Sequence, residues 1–141
     1  MNARVLALDV GSRRLGVAVS DPTGTVATPL ATVPRRSPEA DASAIARLAA
    51  EQEAGIVVAG LPVSLSGREG PAARAVRAYV DQLRELLPGL VFELTDERLS
   101  TVEAERALRE SGASGRDRRR TIDRSAATVI LQAWIDADRP V

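Results

Sequence analysis

The chain has 141 residues, 45% of them hydrophobic and 27% charged, with a formal net charge of zero. It contains no cysteine and no histidine, which excludes disulfides, thiolate zinc sites, thiol catalysis, Ser-His-Asp arrangements and imidazole ligation. The chemistry that remains is that of carboxylates, hydroxyls and guanidinium groups, a set suited to hard, oxygen-loving cations such as Mg²⁺ or Mn²⁺.

Residues 4–10 read as a first strand and 15–20 as a second, joined by a tight turn at Gly11-Ser12-Arg13-Arg14. Asp21-Pro22-Thr23-Gly24 is a turn signal. Residues 25–33 read as a third strand near a sheet edge, because Pro29 interrupts it. Ser37 is placed to cap a helix with Pro38 at its first position, and Glu39 and Asp41 in its first turn suit the helix dipole. Ala42, Ile45, Leu48 and Ala49 form its apolar stripe. Ile56-Val57-Val58-Ala59 is a short buried strand, followed by a loop from Gly60 to Gly70. A helix follows from Pro71 to Leu87, with Val76, Val80, Leu83 and Leu87 on one face and Pro88-Gly89 as its stop. Residues 90–95 form a fifth strand. Ser100 with Glu103 reads as a capping box for a short helix through Arg109. A Gly/Ser/Arg loop covers 111–120, and a last helix runs from Ile122 to Ala137.

Three strands with short links predict an antiparallel meander, and the later strands arrive through helical crossovers and so run parallel. The expected fold is α/β: a five-stranded mixed sheet with helices on both faces. The length predicts one domain over 1–141, with a core of Leu, Val, Ile and Ala, since Tyr79, Phe92 and Trp134 are the only aromatic residues. Trp134 is expected in the core. All 19 basic residues are arginine, as a GC-rich coding bias produces, and with zero net charge any basic site must be local. No apolar run approaches the roughly 20 residues needed to span a membrane, and the N-terminus does not read as a signal peptide, so a cytoplasmic location is expected.

Asp9 is the most informative residue. It closes the apolar run Val5-Leu6-Ala7-Leu8 and stands just before the glycine turn. A carboxylate buried there costs several kcal/mol unless it is partnered, and a metal ion, or a nucleotide phosphate held through one, is the natural partner. Asp96 and Glu97 sit at the C-terminal end of the fifth strand, where ligand sites form in such sheets. Strand parity leaves both open. Asp123 falls in the first turn of the last helix and is followed by the small residues Ser125, Ala126 and Ala127, which let a helix approach a sheet closely. Taken singly, each acid reads as a solvated strand end or a helix N-terminal carboxylate. Taken together, their mutual repulsion calls for a cation.

Four segments resemble the YqgF (RuvX) family of candidate Holliday junction resolvases, also described as candidate pre-16S rRNA nucleases. They are Leu8-Asp9-Val10-Gly11-Ser12 with Gly16-Val17-Ala18; Gly60-Leu61-Pro62 with Gly67; Asp96-Glu97-Arg98-Leu99-Ser100-Thr101-Val102-Glu103-Ala104; and Ile122-Asp123 with Ala126-Ala127 and Ile130-Leu131-Gln132. They span almost the whole chain. The resemblance implies a ribonuclease H-like fold. It also implies that Asp9, Glu97 and Asp123 are catalytic, metal-binding carboxylates, so it selects Glu97 over Asp96. Asp96 remains a candidate further ligand. The implied chemistry is two-metal phosphodiester hydrolysis with Mg²⁺ or Mn²⁺, which needs no histidine base.

Arg116, Arg118, Arg119 and Arg120 precede the last helix, where basic residues oppose the helix dipole. Their place beside Asp123 favours phosphate binding over a merely solvated loop, and the family resembles this chain in carrying basic residues there. Arg98 suits phosphate steering, and pairing with Asp96 or Glu103 equally well. The loop from Gly60 to Gly70 suits either substrate contact or a plain connection. So few aromatics argue against base stacking, so recognition is expected to rest on backbone and shape. The expected partners are RNA, as pre-rRNA, or branched DNA, acted on by a monomer or a homodimer. The leading expectation is processing of the 5′ end of pre-16S rRNA, with junction resolution as the alternative. The Asp-x-Gly-Ser turn is also similar to the first phosphate loop of the actin, Hsp70 and sugar-kinase group. That group needs two domains and a second such loop, which this chain lacks. A non-catalytic RNA-binding module in ribosome assembly would not need three acids.

Overall fold

The computed structural model describes residues 4–64, 66–97 and 125–138. Within them the elements are β1 (Arg4–Val10), β2 (Arg14–Ser20), β3 (Ala27–Pro34), α1 (Pro38–Gln52), β4 (Ala54–Leu61), α2 (Pro71–Leu86), β5 (Val91–Asp96) and α3 (Ala126–Asp138). The strands form one sheet in the order β3-β2-β1-β4-β5. β1, β2 and β3 pair antiparallel, whereas β4 pairs parallel with both β1 and β5. This is the mixed five-stranded sheet expected from the element order. Pro29 and Pro34 lie in the edge strand β3, where a missing N–H interrupts no inner ladder.

Alternation along the strands divides the core in two. Leu6, Leu8, Leu15, Val17, Val57 and Ala59 face one side and pack against Ala42, Ile45 and Leu48 of α1 and Val76, Val80 and Leu83 of α2. Val5, Ala7, Ala18 and Val58 face the other side and pack against Ala127, Ile130, Leu131 and Ile135 of α3. Trp134 is partly buried against this second cluster, in agreement with its expected core role. Small residues on the α3 side let that helix lie close to the sheet. Gln132 then pins it, accepting from the Ala27 N–H at 2.9 Å and donating to the Thr25 carbonyl at 3.0 Å. The β2–β3 turn that presents these groups is closed by Asp21, which accepts from the Thr23 hydroxyl and from the N–H groups of Thr25 and Val26. Those bonds, that of Thr23 foremost, hold the Asp21 carboxyl well below the usual carboxylate range.

Most strand boundaries shift by one or two residues from expectation, and two differences bear on the site. β4 runs through Gly60 and Leu61, because its parallel ladder with β5 continues to the pair Leu61–Asp96. The last helix begins at Ala126 rather than at Ile122, since Ser125 caps it, its Oγ accepting from the Thr128 N–H at 3.0 Å. The expected short helix at 100–109 and the loop at 111–120 lie outside the described residues.

Asp41 stands in the first turn of α1, as expected, and is 2% exposed. It accepts from the Arg36 N–H at 3.0 Å and from the Tyr79 hydroxyl at 2.6 Å, which joins α1 to α2. The guanidinium of Arg35 lies 4.2 Å from the centre of the Tyr79 ring. Ser37 caps α1 as expected, accepting from the Ala40 N–H.

Burial, and then the bond to Asp41, push the Tyr79 phenol well above its usual range. The raised value favours the neutral phenol in the fold. This contribution is therefore fully present below the unfolded tyrosine pKa near 10 and is lost as pH rises beyond it. The chain has no Cys or Lys and a single Tyr, so little else titrates there. Tyrosinate absorbance should appear above about pH 10 only together with loss of helical circular dichroism. Tyr79→Phe should lower neutral-pH stability by about 1–3 kcal/mol, because the buried Asp41 loses a donor, and should flatten the alkaline limb. Tyrosinate formed at the ordinary pKa in a still-folded protein would contradict this account.

Candidate functional site

Asp9 lies opposite Gly16 in the β1–β2 register. It is half-buried, less enclosed than its apolar run suggested, because it falls near the end of the strand. Its parity is that of Val5 and Ala7, which places it on the α3 side of the sheet. A Cβ built on Gly16 would lie 3.6 Å from the Asp9 Cβ and 3.8 Å from the Ala127 Cβ. The first turn of α3 therefore passes directly beside Asp9, at ordinary contact distance from the Gly16 position.

The structure separates the two acids that parity left open. Asp96 pairs with Leu61, whose side chain belongs to the α1–α2 core, so its register position faces away from Asp9. Glu97, one residue on, is 5% exposed and lies on the α3 side. A Cβ on Gly60 would come 3.0 Å from its Oε1, 3.1 Å from its Cγ and 2.7 Å from Cδ1 of Ile130. The Glu97 side chain thus crosses β4 over the bare backbone of Gly60. The last β1–β4 pair is Leu8–Ala59, so the next position along the ladder sets Asp9 beside Gly60. Asp9 and Glu97 thus come to the same face of the sheet, from β1 and from just beyond β5, with Gly60 of β4 between them.

Gly60 is the positional residue that the sequence reading missed, taking it as the start of a loop. The available signal was a glycine inside the run Ile56-Val57-Val58-Ala59-Gly60-Leu61, which marks close approach of another group. Gly11 has a different task. Its N–H donates to the Arg14 carbonyl at 3.0 Å, and a Cβ there would come 2.7 Å from that oxygen.

Asp9 and Glu97 supply hard oxygen donors from two strand ends, a donor set that fits Mg²⁺ or Mn²⁺. Among the described residues no group of three or more candidate metal ligands gathers. Asp123, the third expected acid, lies outside the described residues, as do Arg98, Arg116, Arg118, Arg119 and Arg120. A cavity of about 590 Å³ between β3 and α1, lined by Thr32, Arg36, Asp41, Ser43 and Arg47 among others, belongs with α1 and not with the acid site. No helix among the described residues is long and apolar enough to cross a membrane.

The architecture has solved counterparts. The chain matches Thermus thermophilus RuvC in complex with a Holliday junction substrate with a TM-score of 0.57 and 12% identity, over 96% of this chain and 95% of that one. A fowlpox virus resolvase bound to Holliday junction DNA matches at a TM-score of 0.50 and 6% identity, over 97% and 99%. At such identities the likeness speaks for the fold, which is ribonuclease H-like. Sequence relatives are much nearer. A Myxococcus xanthus protein is 49% identical over 137 residues, covering 97% of this chain and 90% of its own length. One from Nocardia farcinica is 48% identical over 139 residues, covering 94% and 77%. Both are named as candidate pre-16S rRNA nucleases. The profile described as RuvX, Holliday junction resolvase, matches residues 3–137, and with relatives near half identity over nearly the full chain, the protein belongs to the RuvX family.

Proposed function

We propose that the protein is a divalent-metal-dependent nuclease that hydrolyses phosphodiester bonds in structured nucleic acid, with the 5′ end of pre-16S rRNA as its substrate. The observation that carries this reading is the placement of Asp9 and Glu97 on one face of the sheet, brought together across Gly60. The names of the relatives support the choice of rRNA. The family description favours a second reading, resolution of branched DNA, which requires two symmetric cuts and hence a dimer.

In this reading Asp9, Glu97 and Asp123 hold the metal. Bound Mg²⁺ or Mn²⁺ supplies an activated water and stabilises the leaving oxygen, which suits a chain without histidine. Glu97 is the enclosed member of the set and Asp9 the more open one, so Asp9 faces the side from which substrate arrives. Gly60 holds no side chain that would push Glu97 aside.

The direct test is cleavage of end-labelled RNA and DNA, linear and branched, with and without Mn²⁺. Asp9→Asn, Glu97→Gln and Asp123→Asn should each reduce cleavage to background while leaving circular dichroism unchanged. Near-normal turnover in any one would remove that residue from the site.

Metal should also stabilise the folded protein, because an ion that binds only the fold adds stability by mass action. The gain is about 2.7 kcal/mol at a hundredfold excess over Kd. Thermal melting with added Mn²⁺ should show a higher Tm for the wild type and a smaller rise for Asp9→Asn. Equal rises would place the ion elsewhere.

Gly60→Ala should lower kcat by about 100-fold, because its methyl displaces the Glu97 carboxylate. Gly60→Ala should also shrink the Mn²⁺-induced rise in Tm, as loss of a metal-holding carboxylate would. A full rise in Tm alongside lost activity would mean that the glycine acts on something other than Glu97, such as Ile130, whose Cδ1 lies 2.7 Å from the added Cβ.

A further inference from the structure

Four arginines meet at the end of the sheet that carries Asp9. Arg13 and Arg14 belong to the β1–β2 turn, and Arg35 and Arg36 follow β3 directly. The register pairs Arg14 with Pro34, and the Arg35 N–H donates to the Arg13 carbonyl at 2.9 Å, so the two segments are neighbours. Arg14 shares the parity of Gly16, which lies opposite Asp9, and so stands on the Asp9 side of the sheet.

The four do not play one role. Arg35 is half-buried, with its guanidinium against the Tyr79 ring and its Nη1 donating to the Gly11 carbonyl at 2.7 Å. It is a strut that ties the turn after Asp9 to the buried Asp41–Tyr79 pair. Arg13, Arg14 and Arg36 are exposed. Among the described residues none of the three makes an ion pair, although Arg47, Arg77 and Arg84 on the helices each pair with a carboxylate. The neighbouring acids of α1 do not neutralise them. Asp41 is buried and committed to Tyr79 and to the Arg36 N–H, and Glu39 makes no ion pair. Arg13, Arg14 and Arg36 thus carry positive charge without an ion pair among the described residues at the sheet end where β1 carries Asp9, with Arg14 on the Asp9 face and Arg36 at the mouth of the β3–α1 cavity. Like charges crowd there at a cost that a bound polyanion would offset.

We propose that Arg13, Arg14 and Arg36 form a phosphate-binding rim that holds the sugar-phosphate backbone of the substrate on the β2–β3 side of Asp9. This rests on the nuclease reading above and adds the path by which the strand reaches the acids. The shared chemistry is a run of phosphodiesters, which RNA and DNA both supply. Arginine forks match phosphate oxygens, and contacts of this kind set register and affinity without reading sequence.

The test is binding of fluorescent structured RNA and of branched DNA across a salt series, both measured in an Asp9→Asn background so that nothing is cut. The combined variant R13A/R14A/R36A should bind at least about tenfold more weakly at low salt, with the deficit shrinking as salt rises. Its slope of log affinity against log salt should flatten by about two to three units. R13K/R14K/R36K should restore most of the slope, since it restores the charge. R74A/R77A/R84A, on α2, should leave the slope as it was. With Asp9 present, R13A/R14A/R36A should raise KM with little change in kcat, and the Mn²⁺-induced rise in Tm should be unaltered. The RNA and DNA arms show which nucleic acid uses the rim. A wild type that cuts while R13A/R14A/R36A keeps the parent affinity and slope overturns the rim alone, as does an equal loss in the α2 variant. A wild type that neither binds nor cuts any of these substrates overturns the nuclease reading and the rim with it.

Discussion

Two carboxylates on one face of a sheet repel each other, and much of this structure arranges for them to stay together. Asp9 comes from the strand at the centre of the sheet and Glu97 from just beyond an edge strand. Between them runs β4, and any side chain at position 60 would occupy the space through which Glu97 reaches. The glycine is therefore a condition of the site. The parallel ladders on both sides of β4 set the register, so that Asp9 and Gly60 are neighbours while Asp96 turns to the opposite core.

The two faces of the sheet are built for different tasks. The α1–α2 face is filled with large aliphatic side chains, among them Leu6, Leu8, Leu15 and Ile45, all fully buried. Such packing resists displacement. The α3 face uses Ala7, Gly16, Ala18 and Ala127 near the acids, so the helix comes close to the backbone there. Of its larger residues, Ile130 lies against Gly60 beside Glu97, and Leu131 and Ile135 pack in the same cluster. Gln132 secures the helix to the start of β3, accepting from the Ala27 N–H and donating to the Thr25 carbonyl.

The polar cluster of Asp41, Tyr79 and Arg35 links the rigid face to the site. Asp41 and Tyr79 are buried together between α1 and α2, and Arg35 carries that anchor to the carbonyl of Gly11. Gly11 follows Asp9 by two residues. A buried acid on the opposite side of the sheet therefore helps to define where the turn behind Asp9 lies. A buried polar network of this kind specifies geometry more than it adds stability.

Periodicity and turn chemistry in the sequence determined the number, type and order of the described elements, and with them the mixed sheet. The apolar run Val5-Leu6-Ala7-Leu8, buried on both faces of the sheet, and the stripe Ala42, Ile45, Leu48 and Ala49 are local patterns that survive in the fold because burial rewards them. Asp9 was legible as a candidate, and so was the pair Asp96 and Glu97, between which only likeness to a family chose. Residue-level reasoning could not separate Glu97 from Asp96, because parity at a strand end depends on the register with β4, a pairing across more than thirty intervening residues. For the same reason the sequence shows Asp41 only as a first-turn carboxylate of α1, and its bond to Tyr79 arises from the packing of another helix against it. Gly60 looked like a loop residue because nothing in its neighbourhood along the chain shows that Glu97 will lie across it. The arginines at 13, 14, 35 and 36 read as two separate pairs, and the β2–β3 hairpin makes them one rim. Local preference is written in adjacent residues, whereas a site assembled from several strand ends exists only once long-range pairing has chosen its register.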